Sequence, residues 1–171
     1  RSSQESTPSF IGALAASVRD RNLMSCAQAG LVTKVNDATV WGLLPLFLTA
    51  RGTSIGTIGM VAAIYPMVFA GSQLITGTLS DHLGRKPLIV VGMLMQALGM
   101  WLLGAGEGLR VWIAGVGILG IGTAAVYPTL IAFVGDAAHP FRQASAIGIY
   151  RWYRDGGFIA GALVAGTLAD T

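Results

Sequence analysis

The sequence predicts an all-α membrane protein, a polytopic bundle of transmembrane helices, and three observations support this prediction. Charged residues make up only 11% of the 171 residues and hydrophobic residues 53%, whereas about 25% of residues are charged in an average soluble domain. The mean hydropathy is +0.65. Five apolar stretches reach the roughly 20 residues that a helix needs to cross the hydrocarbon core of a bilayer. The 24 glycines fit this class, because small residues let membrane helices pack closely.

The chain divides into a polar leader and five predicted spans. Residues 1–22 form the leader, in which the apolar run 10–18 is either an interfacial helix or the end of a flexible loop. The spans are predicted at residues 23–49, 54–79, 87–106, 109–135 and 144–169. Because Arg1 is not an initiator methionine and apolar sequence continues almost to Thr171, we expect a piece of a longer protein.

The positions of Lys and Arg predict the orientation in the membrane. Basic residues concentrate on the cytoplasmic side of membrane proteins. With the N-terminus in the cytoplasm, six basic residues lie on the cytoplasmic side and two on the other. The six are Arg1, Arg19, Arg21, Arg85, Lys86 and Arg142, and the two are Arg51 and Arg110. We therefore predict a multi-pass protein of the cell membrane with a cytoplasmic N-terminus.

Several classes of function are not indicated by the sequence. The net charge of +3 comes from only 11 Lys and Arg residues, mainly at span ends, so we expect no nucleic-acid partner. The single cysteine, Cys26, excludes an internal disulfide. His82 and His139 are isolated, and neither metal-ligand spacing nor a phosphate-binding GxxxxGK[ST] loop occurs. We predict no metal site, no cofactor and no enzymatic activity.

The segment between the second and third spans carries the most specific motif. It runs from Gly77 to Lys86 with the sequence GTLSDHLGRK. Gly84 permits a tight turn, and the basic pair that begins at Arg85 suits the anionic cytoplasmic surface. Asp81 can pair with a basic residue or with a helix N-terminus. Such a contact would latch one conformation and break in another, although the segment can also serve topology alone.

This segment resembles the signature loop of the major facilitator superfamily, G-x-L-[AS]-D-x-x-G-R-[RK], in sequence and in its place after a second helix. The five spans match a six-helix half of that family without its last helix, over about residues 20–169. The resemblance implies a secondary transporter that moves a small-molecule substrate through the bilayer, and it implies the latch role for the loop. Val116 and Leu119 stand where many N-terminal halves carry the Arg and Gln of R-x-x-Q-G. The C-terminal half, helices seven to eleven, is therefore favoured, and the other half is the missing partner.

The first span contains charges, and charges inside a membrane helix are functional hypotheses by default. Lys34 lies about 18 Å from the start of the span at 1.5 Å per residue, near the midplane where such transporters bind substrate. Lys34 and Asp37 share a helix face with polar Asn36 beside them. The two charges either neutralise each other or form a binding or proton-coupling pair. Trp41, four residues beyond Asp37, can stack on a substrate or simply pack.

The fifth span opens with a second charged cluster. Arg151 and Asp155 are four residues apart and are predicted to pair. Arg154 would then face the cavity or reach an acid on another helix, either Asp37 or Asp136. Its guanidinium can hold an anionic substrate bidentately. The alternative is a cluster that extends to the lipid headgroups.

Two Tyr-Pro pairs, at Tyr65 and Tyr127, are predicted to bend the second and fourth spans and to offer hydroxyls to a cavity, although local packing explains them equally well. Gln73 is another cavity candidate. The third span has no charge, and Gln96 is its one strongly polar side chain, which suits a lipid-facing helix.

In the fifth span, small residues recur every four positions, a pattern that predicts a smooth packing ridge. The ridge consists of Gly157, Gly161 and Ala165. The same stretch resembles a worn antiporter motif of the family, with Ala162 in place of the proline, and we infer no antiport from it.

The sequence therefore predicts transport of a small solute by alternating access. A gradient of a solute or of protons would drive this transport. The first, second, fourth and fifth spans would line the cavity. Two alternatives stay open. One is a non-transporting membrane sensor or assembly factor on the same scaffold, and the other is an inactive truncated fragment.

Overall fold

The computed structural model describes residues 20–138 and 143–169, and these residues form five α-helices without any strand. The helices are α1 (Arg21–Ala50), α2 (Ile55–Leu83), α3 (Arg85–Ala105), α4 (Leu109–Ala137) and α5 (Gln143–Ala169). The number and order of helices agree with the predicted all-α bundle. Most of the predicted leader, residues 1–19, lies outside the described residues, as do His139 and Arg142.

The outer surface of the bundle is apolar. Large side chains such as Leu74 and Trp101, which are 82% and 65% exposed, face outward. Of the described helices, α2, α3 and α4 are long and apolar enough to cross a membrane. Helices α1 and α5 are of similar length, 30 and 27 residues, but they carry the two charged clusters. The fold is thus a helical membrane bundle, and the crossing of α1 and α5 stays a prediction.

The segment that the sequence predicted as a loop between α2 and α3 is almost entirely helical. Helix α2 continues to Leu83 and α3 begins at Arg85, so Gly84 alone joins them. Gly84 has a φ of +84°, a backbone conformation that glycine adopts without steric cost. One residue of this kind reverses the chain direction, and the signature sequence is therefore two helix ends around a single glycine.

Helix α4 occupies the centre of the bundle, and small residues make this possible. A methyl group added to Gly122 would lie 2.6 Å from the carbonyl oxygen of Gly92 on α3. On another side of α4, a methyl group on Gly120 would lie 3.0 Å from the carbonyl oxygen of Tyr65 on α2. Backbones approach this closely only where side chains are absent.

A proline in α4 is matched by a threonine on α2. Pro128 has no N–H to donate to the carbonyl of Ala124, four residues earlier. The hydroxyl of Thr76 on α2 donates to that carbonyl oxygen at 2.9 Å. A carbonyl without a donor is costly in an apolar surrounding, so this bond both completes α4 and attaches it to α2.

Helices α1 and α5 run parallel and pack closely. A methyl group on Gly161 would lie 2.7 Å from Cβ of Ala38, and one on Gly42 would lie 3.6 Å from Cβ of Ala165. Gly157 faces the backbone of Leu31 in the same way. The residue numbers of the contacting pairs thus increase together along both helices, as parallel helices require. The predicted ridge of small residues on α5 lies against α1.

Candidate functional site

A buried polar layer joins α1, α2 and α4. Lys34 Nζ donates to Oδ2 of Asp37 at 2.8 Å. The hydroxyl of Tyr65 on α2 donates to Oδ1 of the same carboxylate in a short hydrogen bond. The Tyr65 oxygen also lies 3.2 Å from the hydroxyl of Thr123 on α4. Both oxygens of the buried carboxylate therefore have donors, and one donor comes from another helix.

A second polar network joins α1 to α3. Asn36 Nδ2 donates to Oε1 of Gln96 at 3.0 Å, and Gln96 Nε2 donates to the hydroxyl of Thr33 at 3.4 Å. Gln96 is only 1% exposed, so the polar residue of the third span faces α1 and not lipid. The opposite face of α3, with Leu94 and Trp101, is exposed and apolar. Desolvation explains the difference, because an amide in hydrocarbon needs a partner that only the interior offers.

Aromatic rings form a continuous run beside the polar layer. Trp41 meets Tyr65 edge to face at 6.5 Å between ring centroids, and Tyr65 stacks on Phe69 at 6.5 Å. Phe69 meets Tyr127 edge to face at 6.2 Å. The guanidinium of Arg154 lies over the Tyr127 ring, 5.0 Å from its centroid. The run therefore connects the charged clusters of α1 and α5.

The charge pairing predicted for α5 is wrong. Asp155 accepts hydrogen bonds from Nε and Nη2 of Arg154, at 2.9 and 2.7 Å, and not from Arg151. Arg154 stacks on Tyr127, and this contact keeps its guanidinium on the buried face of α5. In this position Nε and Nη2 can reach the carboxylate of the next residue. Arg151 is exposed. The acids proposed on other helices, Asp37 and Asp136, do not pair with Arg154 either, because each has another cation.

Among the described residues, each end of the bundle carries one ion pair. At the end that holds Gly84, Arg85 on α3 pairs with Asp136 on α4. At the opposite end, Arg51 lies 3.9 Å from Glu107. Asp81, the residue from which the sequence predicted a latch contact, is exposed and forms no ion pair within the described residues.

The remaining predicted site residues are more loosely placed. Trp41 is 54% exposed and borders an apolar groove of about 410 Å³ between α1 and α5, which Phe158 and Ala162 also line. Gln73 is half-buried on α2 and makes no side-chain hydrogen bond to a described residue. Thr123 and Thr33 complete the two networks and were not among the predicted site residues. A hydroxyl in an apolar helix is too common to single out from sequence.

A bundle of apolar helices that keeps paired charges in its interior is typical of membrane transport proteins. A family model described as Major Facilitator Superfamily matches residues 27–171. The chain belongs to this family.

Two relatives illustrate the range of similarity. The quinolone resistance protein NorA of Staphylococcus aureus (strain MRSA252) is 26% identical over 132 residues, which cover 75% of this chain and 33% of that protein. The multidrug resistance protein MdtH of Aeromonas hydrophila is 29% identical over 125 residues, which cover 72% of this chain and 31% of that protein. The chain thus spans about a third of the length of these relatives.

Proposed function

We propose that the intact protein containing this chain exports small organic solutes across the cell membrane by alternating access, with Asp37 as the proton-coupling group. The printed names of the two relatives, a quinolone resistance and a multidrug resistance protein, support export of drug-like compounds. The chain would supply the C-terminal half with its N-terminus in the cytoplasm, and the rest of the transporter would supply the facing half. The ion pair between Arg85 and Asp136 would stabilise the cytoplasmic end of this half in one conformation.

The environment of Asp37 is the observation that supports this proposal most directly. Its carboxylate is buried between Lys34 on α1 and Tyr65 on α2. Protonation would remove the charge that attracts Lys34 and would weaken the bond from Tyr65. The contact between α1 and α2 therefore depends on the protonation of one side chain, which is the property that a proton-coupled conformational change requires.

The test is proton-driven flux in the intact protein, reconstituted in liposomes with an imposed pH gradient. Ethidium and a quinolone serve as probes. We expect Asp37→Asn to reduce flux at least about tenfold, since an amide keeps the size of the side chain but cannot exchange a proton. Membrane insertion should be unchanged.

Glu107→Gln is the matched control, because it makes the same chemical change at an exposed position at the end of the bundle. It should leave flux unchanged. Full pH-driven flux in Asp37→Asn would refute the coupling role. An absence of flux for any solute in the unmodified protein would favour the non-transporting alternative.

A further inference from the structure

We propose that the inward edge of Arg154 and the hydroxyl of Tyr150 bind the carboxylate of an aromatic acid. This inference rests on the proposed function, since it names a class of substrate for the same bundle. It is based on two buried donors without acceptors, on the balance of charge around them and on the aromatic run beside them.

The guanidinium of Arg154 is only half used. An arginine has five N–H donors in a flat fork. Nε and Nη2 donate to a single oxygen of Asp155. Nη1 is buried and has no partner among the described residues, and the whole residue is 8% exposed. The inward edge consists of Nη1 and the second hydrogen of Nη2. It has the geometry to bind a carboxylate through two parallel hydrogen bonds.

A second unmatched donor lies one helical turn away. The hydroxyl of Tyr150 is buried without a partner, and the residue is 3% exposed. Residues four apart share a helix face, so both donors lie on the inward face of α5. Gly30 on α1 makes room for the ring, because a methyl group there would lie 2.9 Å from the Tyr150 hydroxyl oxygen. Buried polar atoms are nearly always paired, and these two donors on one helix face are both without a partner among the described residues.

The charges nearby favour an anion as that acceptor. The clusters of α1 and α5 contain three cations, Lys34, Arg151 and Arg154, against two carboxylates. Asp37 is already held by Lys34 and Tyr65. The side chain of Asp155 is 59% exposed, so it lies on the exposed side of the guanidinium. No carboxylate of the described residues faces the inward edge.

The aromatic run favours a flat ring attached to the anion. Tyr127 lies beneath the guanidinium, and Phe69 continues the run toward Tyr65 and Trp41. A planar ring gains offset-stacking and edge-to-face contacts on such a surface. A lipid phosphate carries the same negative charge but brings no ring to it. In the described conformation Nη1 is enclosed, so an acid would enter while α4 and α5 are apart.

The experiment measures binding of 1-naphthoate to the intact purified protein by calorimetry, in nanodiscs of zwitterionic lipid. Neutral 1-naphthamide keeps the ring but removes the charge. We expect naphthoate to bind at least about tenfold more tightly than the amide, since hydrogen bonds between charged groups are the stronger class. Arg154→Gln should weaken naphthoate binding at least about tenfold, and Tyr150→Phe should weaken it by a smaller factor.

Arg110→Gln is the matched control, because it makes the same chemical change at an exposed position at the start of α4, in the end of the bundle that holds Arg51 and Glu107. It should leave naphthoate binding within about twofold of the unmodified protein. Equal binding of acid and amide, or unchanged binding in Arg154→Gln, would overturn the proposal. So would binding of anionic lipid, measured in phosphatidylglycerol nanodiscs, without binding of naphthoate.

Binding and flux separate this inference from the proposed function. If naphthoate fails to bind while ethidium flux still depends on Asp37, the acid site is refuted and the transporter stands. If naphthoate binds but no solute is moved, the site stands as a binding site and the transport proposal is refuted.

Discussion

At the scale of single residues, the central feature is a carboxylate that receives donors from two helices. Asp37 owes one bond to Lys34, three residues away on α1, and another to Tyr65 on α2. A hydrogen bond to a charged group contributes about 1.5–3 kcal/mol. The Tyr65 hydroxyl is therefore expected to contribute to both function and stability, although the sequence alone explained this residue equally well by local packing.

We predict that Tyr65→Phe lowers the free energy of unfolding by about 1.5–3 kcal/mol, because Asp37 loses a donor in a buried site. Proton-driven flux should fall as well. Thermal unfolding in detergent and flux in liposomes measure the two effects. Tyr153→Phe is the control, since Tyr153 takes part in neither polar network. Equal stability of the two variants would contradict this account.

Sequence alone could indicate part of this site. The spacing of Lys34 and Asp37 places both on one helix face, and the structure shows them in contact. Their partners Tyr65 and Thr123 are distant in sequence, and helix periodicity does not determine which residues of separate helices meet. The pairing of Arg154 was missed for another reason, because stacking on a neighbouring helix overrode the usual four-residue spacing.

At the scale of helices, the parallel contact between α1 and α5 depends on positions without side chains. Gly161 lies where an added methyl group would be 2.7 Å from Ala38 Cβ, whereas Gly166 has nothing within 4 Å. Both glycines lie in the same helix. Replacing each of them with alanine therefore separates the effect of packing from the intrinsic preference of alanine for helices.

The two substitutions are predicted to have opposite signs. Gly161→Ala should destabilise the protein by about 1–3 kcal/mol through overpacking. Gly166→Ala should be neutral or stabilise it by up to about 1 kcal/mol, because alanine favours the helix. Unfolding in detergent measures both, with the unmodified protein as reference. A stabilising effect of Gly161→Ala would show that α1 and α5 can separate without cost.

Helix boundaries illustrate where sequence patterns were sufficient. Apolar length placed all five helices correctly in order, because a span requires a fixed number of residues. The end of α2 was placed too early, since Ser80 and Asp81 read as loop residues. A single glycine with positive φ at Gly84 completes the reversal, and the polar residues before it stay helical.

At the scale of the whole molecule, the bundle has two distinct ends. One holds the Gly84 turn and the pair of Arg85 with Asp136, and the other holds the contact between Arg51 and Glu107. The excess of basic residues predicts an assignment of the first end to the cytoplasm.

The assignment predicts the labelling of cysteines introduced at the two ends in a cysteine-free variant of the intact protein. Glu107→Cys should react with a membrane-impermeant maleimide in intact cells. Lys86→Cys should react only after the membrane is permeabilised, because Lys86 lies beside the Gly84 turn. Both side chains are exposed, so burial does not distinguish them. The reverse pattern would invert the orientation.

The bond from Thr76 to the carbonyl of Ala124 limits how the helices can shift relative to each other. If α4 slid along α2 by one turn, the hydroxyl of Thr76 would leave the carbonyl oxygen of Ala124, and the hydroxyl of Ser72 or Ser80 would have to replace it. Rotation of the two helices as one rigid pair keeps the bond intact. Rocking is therefore the less costly displacement for this pair, and a serine is the one natural replacement for Thr76 that would keep the hydroxyl in place.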